Sequence, residues 1–209
     1  TFKAQENKEA VSVIEDGGVI VMPNLHFELT DDEKLFLKNA TFNLKVKSIK
    51  YDVHTGKIWG IKENKNEEIL KGLISRYTKS TKDLIRTMMP YYAQTMKMGN
   101  ASLRPVEAEN RKQSKRHDDT RLHVDAFPSR PTRGMRLLRI FYNINLEGRP
   151  RVWNVGESFE KVAEKFLPRI KPQNHIAPYV LKALKITKSF RSEYDHYMLN
   201  LHDKMKLDE

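Results

Sequence analysis

The chain has 209 residues, of which 39% are hydrophobic and 31% charged, with no cysteine and only 9 glycines and 9 prolines. This length fits one domain, and the composition excludes a collagenous or low-complexity chain, a disulfide framework, a thiolate metal site and a cysteine nucleophile. An excess of 38 basic over 27 acidic residues, net +11, points to an anionic partner such as nucleic acid, an acidic membrane surface, or an acidic or phosphorylated substrate.

The opening TFKAQENKEA is polar, without the apolar core of a signal peptide. Gly18 to Met22 reads as a strand closed by Pro23 and Asn24. Thr30-Asp-Asp-Glu33 is a capping box, so a helix should run from there to about Asn39. Apolar residues then alternate at Phe42, Leu44 and Val46, at Ile49, Tyr51 and Val53, and at Ile58 and Ile61, with Thr55-Gly56 as a turn. This predicts two or three strands with a hairpin. Over 66–98 the spacing of Ile69, Leu70, Leu73, Ile74 and Tyr77, and of Leu84, Ile85, Met88 and Met89, predicts helix. Pro90 should end or kink the first helix of this stretch, and Gly99 can stop the second. Residues 104–120 read as a polar loop. Arg121 to Phe127 and Met135 to Asn145 read as strands, and Arg149 to Val155 as a short third. Three helices are expected after them: Glu157 to Leu167, stopped by Pro168, then Tyr179 to Ile186 and Ser192 to Met205. The expected organisation is one domain over 1–209, with strands and helices over 1–100, core strands bearing a metal motif over 101–156, and a helical insertion or flank over 157–209.

The chemistry concentrates in Arg121-Leu-His-Val-Asp-Ala-Phe127. Strand side chains alternate, so His123 and Asp125 would share one face and Leu122, Val124 and Ala126 the other. An imidazole and a carboxylate so placed can take adjacent positions on one metal ion, as in the two-His, one-carboxylate sites of non-haem Fe(II) oxygenases. The surroundings are basic: residues 101–150 hold eleven Arg or Lys against six Asp or Glu. Arg121 shares the face of His123. Arg130 and Arg133 come next, in a loop stiffened by Pro128 and Pro131, and Arg139 shares a strand face with Phe141, Asn143 and Asn145. An arginine in an apolar strand is costly to bury unpaired, so Arg139 should meet a carboxylate. That carboxylate would lie in a cavity; the alternative is an arginine at a sheet edge or paired with Asp118 or Asp119. Arg111 to Arg116 is a short basic run, either a solvated loop or an attractor of phosphates. Trp59 and Trp153 read as packing residues.

The run RLHVDAFPSRPTRGMRLLRIFYNIN, together with GRPRVWNVGESFEKVAEKFLP just after it, resembles the Kdo hydroxylase family. The likeness continues upstream in SLRPVE and DDTRLH and downstream in SEYDHYMLNLHDKMK. The resemblance implies an α+β fold: a jelly-roll-like double-stranded β-helix dioxygenase core with flanking helices. It implies His123 and Asp125 as iron ligands, Fe(II) as the metal, and 2-oxoglutarate and O2 as cosubstrates, the former split to succinate and CO2. It implies hydroxylation of 3-deoxy-D-manno-oct-2-ulosonic acid (Kdo) at C3 in the lipopolysaccharide inner core or on lipid A. Arg121, Arg139, Asn143, Arg130 and Arg133 are then candidates for holding the anionic cosubstrate or substrate. The implied partner is a Kdo-containing glycolipid, with peripheral contact to an acidic membrane surface on the cytoplasmic side of the inner membrane. The family's second ligating His and its 2-oxoglutarate arginine have no counterpart on a late strand here. His175 lies in a loop, and His196 and His202 lie on the last helix, six apart and so facing different ways. The core is therefore expected to be incomplete at the C-terminus, with those groups encoded past Glu209 and the 209-residue chain inactive. A related iron oxygenase with another anionic substrate is one alternative. A basic nucleic-acid-binding protein is a weaker one, since no helix-turn-helix, zinc finger or aromatic ribonucleoprotein motif is present.

Overall fold

The structure is a computed structural model that describes residues 7–39, 48–61, 67–104 and 114–208. The expected strand residues Phe42, Leu44 and Val46, the end of SLRPVE and the front of the basic run at Arg111 lie outside the described residues. Two compact units are present. The first comprises Thr1–Glu107 and Ile140–Arg151, the second Ala108–Arg139 and Val152–Glu209.

In the first unit, α1 spans Lys8–Glu15, α2 Asp31–Asn39, α3 Glu67–Met88 and α4 Pro90–Thr95. A small antiparallel sheet has the order β2 (Ile58–Trp59), β1 (Ile49–Tyr51), β3 (Ala101–Leu103). Tyr51 pairs with Ile58 on one side and Ala101 on the other. The β1–β2 turn forms because the Asp52 carboxylate accepts from the N–H groups of His54 and Thr55 at 2.9 and 3.1 Å. Gly56, at φ +69°, completes it, in a conformation glycine adopts freely. The α2 capping box is present as expected. Glu33 N–H donates to Thr30 Oγ1 at 3.2 Å, and Thr30 N–H donates to Glu33 Oε2 at 2.8 Å. Glu33 is buried and forms an ion pair with Arg76 of α3. Along α3, Leu70, Leu73, Ile74, Thr81 and Ile85 are buried at helical spacing. Phe36, Ile49 and Leu70 make the core, flanked by Leu37, Ile58, Ile61, Ile69 and Leu103. Pro90 ends α3 and opens α4, because it lacks an N–H and fits the first helical turn. Helix α1 was not anticipated, although its N-cap is legible: the Asn7 side chain accepts from Ala10 N–H at 3.0 Å.

In the second unit, α5 spans Phe159–Phe166, α6 Ala177–Ala183 and α7 Glu193–Leu207. Val162 and Phe166 of α5, with Ile170 and Leu201, form its core, and Val124, Tyr197, Met198 and Met205 pack against it. A tight 3-10 turn at Leu167–Arg169 ends α5, in keeping with the stop expected at Pro168.

Four expected strands do not form. Residues 18–22, 121–127, 135–145 and 149–155 carry no sheet pairing among the described residues. Apolar and β-branched residues favour a pleated surface, but a strand exists only where a neighbour supplies the ladder's donors and acceptors. The two-residue period survives in part: Ile140, Tyr142 and Ile144 are half-buried while Phe141, Asn143 and Asn145 are exposed. Tyr142 packs on Phe27 and Tyr77 with ring centroids 5.5 and 5.7 Å apart, and the Tyr77 hydroxyl donates to the Ile140 carbonyl.

Candidate metal and anion site

The His123–Asp125 segment lies in the second unit, where side chains rather than a ladder hold its backbone. The Arg121 guanidinium donates to the Lys206 carbonyl and, at 3.3 Å, to that of Asp208. It thereby satisfies carbonyls at the C-terminus of α7, the end that favours a cation. Val124 anchors the segment in the α5–α7 core. The loop after the motif is tied to α7 through Asp195, which is 5% exposed. Its Oδ1 accepts from the N–H groups of Thr132 and Arg133 at 2.7 and 3.0 Å. Its Oδ2 accepts from Ser192 N–H and from the Ser192 hydroxyl. Burial raises the cost of charge on Asp195, but these bonds, Ser192 foremost, outweigh it and hold its pKa below the ordinary carboxylate value.

His123 is half-buried, and Nδ1 lies 2.6 Å from the Arg121 carbonyl. A carbonyl can only accept, so Nδ1 carries the proton and the Nε2 lone pair is left for a ligand. Burial lowers its pKa most; Lys206 and His202 act in the same direction, while the Arg121 carbonyl and Asp125 oppose them. The His202 ring stands edge-on to the His123 ring at 5.3 Å, with its Nδ1 3.1 Å from Asp203 Oδ1. His196 faces elsewhere, with Nε2 2.8 Å from the Lys171 carbonyl. Lys206 is almost wholly buried and paired with Asp119 at 3.7 Å.

Asp125 forms an ion pair with Arg139, whose guanidinium also lies 5.8 Å from the Phe127 ring centroid. Arg139 thus meets a carboxylate, and the partner is the candidate ligand itself. Arg130 and Arg133 are exposed, and Arg133 has φ +55°. Among the described residues their guanidinium groups have no hydrogen-bond or ion-pair partner. Asn143 belongs to the first unit, where its amide donates to the Arg149 carbonyl at 2.8 Å and its oxygen accepts from Asn145 N–H at 3.1 Å. The structure therefore brings together His123, Asp125, Arg121 and Arg139, and leaves Arg130 and Arg133 on the adjoining loop. Sequence reasoning missed Asp195 and Lys206, and offered Asp119 only as a partner for Arg139, where the structure pairs it with Lys206. A Ser-x-x-Asp signal at Ser192 announced Asp195; nothing local announces Lys206.

The donor set fits a metal that takes nitrogen and oxygen ligands. A neutral imidazole with its second nitrogen bound to a carbonyl is the arrangement metal-ligating histidines adopt. No group of three or more His, Cys, Asp or Glu side chains placed to hold an ion occurs among the described residues; His123 and Asp125 offer two donors.

A family profile described as 3-deoxy-D-manno-oct-2-ulosonic acid (Kdo) hydroxylase matches residues 1–209. The chain belongs to the Kdo hydroxylase family. Three similar solved structures are of the Kdo hydroxylase KdoO, a non-haem Fe(II) and alpha-ketoglutarate dependent dioxygenase. In complex with alpha-ketoglutarate and Fe(III) it is 41% identical with TM-score 0.90, over 98% of this chain and 70% of that one. In complex with cobalt(II) it gives the same identity and TM-score over 71% of its length. In complex with succinate and Fe(III) it is 40% identical with TM-score 0.89. No curated protein matches the chain at a significant level.

Proposed function

We propose that the chain carries His123 and Asp125 as two of the iron ligands of an Fe(II)- and 2-oxoglutarate-dependent dioxygenase that hydroxylates Kdo at C3, in the lipopolysaccharide inner core or on lipid A. Two protein donors among the described residues leave the iron site incomplete, so the 209 residues alone should show little turnover. Iron bound with 2-oxoglutarate and O2 supplies the oxidising power for C–H hydroxylation, with succinate and CO2 as by-products. His123 would hold the ion through Nε2, its tautomer fixed by the Arg121 carbonyl, and Asp125 through its carboxylate. Arg139 orients that carboxylate and balances its charge. Arg121 positions the motif by its grip on the end of α7. Arg130 and Arg133 present free guanidinium forks, suited to the Kdo carboxylate or to lipid A phosphates. In this reading the extended segments 121–127, 135–145 and 149–155 stand for jelly-roll core strands, although they carry no ladder among the described residues. The period-two exposure at 140–145 and the likeness to KdoO support that assignment. The acceptor would bring the protein to the acidic membrane surface on the cytoplasmic side; no nucleic-acid partner is proposed.

The observation that carries the reading is the His123 tautomer lock beside Asp125, in a chain of this family. The test is incubation of the 209 residues, alone and within a chain of KdoO's length, with Fe(II), 2-oxoglutarate and Kdo-bearing lipid A, monitoring succinate and the addition of one oxygen to the acceptor. The turnover compared below is that of the longer chain. His123→Ala and Asp125→Ala should each lower turnover about a thousandfold, a loss of roughly 4 kcal/mol in barrier reduction. A chelator should abolish it and Fe(II) restore it. Undiminished turnover in His123→Ala would sink the metal assignment. Succinate release with an unmodified acceptor would move the reading to another anionic substrate.

A further inference from the structure

Between Glu164 and Glu193 the chain has seven Lys or Arg and no acidic residue. Lys165 and Arg169 pair with Asp208, and Arg191 donates to the Pro128 carbonyl at 2.8 Å. Lys171, Lys182, Lys185 and Lys188 remain, all exposed and without a carboxylate partner among the described residues. Helix α6 sits among them. Pro178 is buried and Leu181 half-buried on its inner side. On the other side Ile176, Tyr179, Val180 and Leu184 recur at helical spacing and are between 46% and 69% exposed. Ile186, just beyond, is 54% exposed. Tyr179 is steadied by an edge contact with Phe190 at 4.9 Å. The surface side of a helix ordinarily carries polar residues, and a contiguous apolar face marks an interaction site. Lys185 takes φ +58° directly after α6, where a helix usually ends on glycine. Its N–H donates to the Lys182 carbonyl and Ile186 N–H to that of Leu181, both at 3.0 Å.

We propose that α6 and its flanks, residues 171–188, dock on an anionic lipid bilayer. The apolar side chains enter the boundary between headgroups and acyl chains, and the four lysines lie over the lipid phosphates. Charge selects this occupant: apolar side chains rimmed by unpaired lysines are the pattern of a helix lying in a membrane interface. No helix among the described residues is long and apolar enough to cross a membrane, so the contact is with the surface. The choice of a lipid surface over an acidic protein rests on the glycolipid acceptor proposed above.

Co-sedimentation of the protein with vesicles of phosphatidylcholine alone, and of phosphatidylcholine with phosphatidylglycerol, tests the inference at low and high salt. Binding should require phosphatidylglycerol and weaken with salt. The double variant Lys182→Gln, Lys185→Gln should lower the partition coefficient about thirtyfold, from two lysines each acting at the surface. Ile176→Ser with Leu184→Ser should lower it about tenfold, with circular dichroism to verify the fold. Absence of vesicle binding, equal binding to both vesicles, or variants that bind as the parent does would overturn it. So would a dimer in sedimentation velocity that the serine variant dissociates, since a second copy would then cover the face. His123→Ala should bind vesicles like the parent while losing turnover, which separates failure of this inference from failure of the hydroxylase reading.

Discussion

The two units hold their extended segments in different ways. In the first, β1 has a ladder on both sides and sits on a core of Phe36, Ile49 and Leu70. Backbone pairing and apolar burial carry it, and most of its side chains could change. In the second, the motif segment 121–127 has no ladder among the described residues. It is held by an arginine on helix-end carbonyls, an imidazole on a carbonyl, an ion pair and one valine in the core. The carboxylate of Asp195 fixes the adjoining loop. A ladder tolerates substitution because its hydrogen bonds are made by every residue type but proline. A segment held by side chains depends on particular groups and on their charge.

This contrast can be broken or sharpened by experiment, with Trp59 reporting the first unit and Trp153 the second in single-tryptophan variants. The largest effect is expected in the first unit. Leu70 is 1% exposed, so Leu70→Ala should cost about 3 kcal/mol through lost burial and a cavity. Denaturant unfolding monitored at Trp59 should show the same loss at pH 4 and pH 7. Next, Asp195→Ala should cost about 2 kcal/mol in the unfolding seen at Trp153, since it orphans the Thr132 and Arg133 N–H groups and removes half of a capping box. That loss should depend on pH. The folded carboxyl titrates below its ordinary value of 3.8, so its contribution is complete above that value and disappears as pH falls through the depressed one. A parent–variant difference that persists unchanged in strong acid would refute the charge-based account. The smallest effects should be about 1 kcal/mol each, for Thr30→Ala at Trp59 and Ser192→Ala at Trp153. A cap worth much more in one unit than in the other would mean that the units differ in more than how their chain is tied.

Local signals in the sequence were right at some turns of backbone and wrong at others: α4 ends at Thr95, before Gly99, and α6 spans Ala177–Ala183, displaced from 179–186. Thr30 and Glu33 cap α2, Pro90 divides α3 from α4, Gly56 closes the hairpin and Pro168 ends α5. The helical spacing along α3 matches its buried face. The strands read at 121–127 and 135–145 are a different matter. Alternation states which side chains share a face, but not which neighbour supplies the hydrogen bonds. At the site, the residue types at 123 and 125 and the basic neighbourhood were legible. The pairing of Arg139 with Asp125, the use of Arg121 on α7, and the burial of Lys206 against Asp119 were not.

By itself the sequence determined the start of α2, the division of α3 from α4 at Pro90 and the end of α5, the acid-free basic stretch around α6, and the imidazole and carboxylate two residues apart. These depend on covalent spacing and on the intrinsic geometry of a few residues. Only tertiary structure decided that the motif rests on the end of α7 and that Asp195 fastens its loop. Each of those facts needs groups some 60 to 85 positions apart in the chain, and packing, which local spacing does not encode, brings them together.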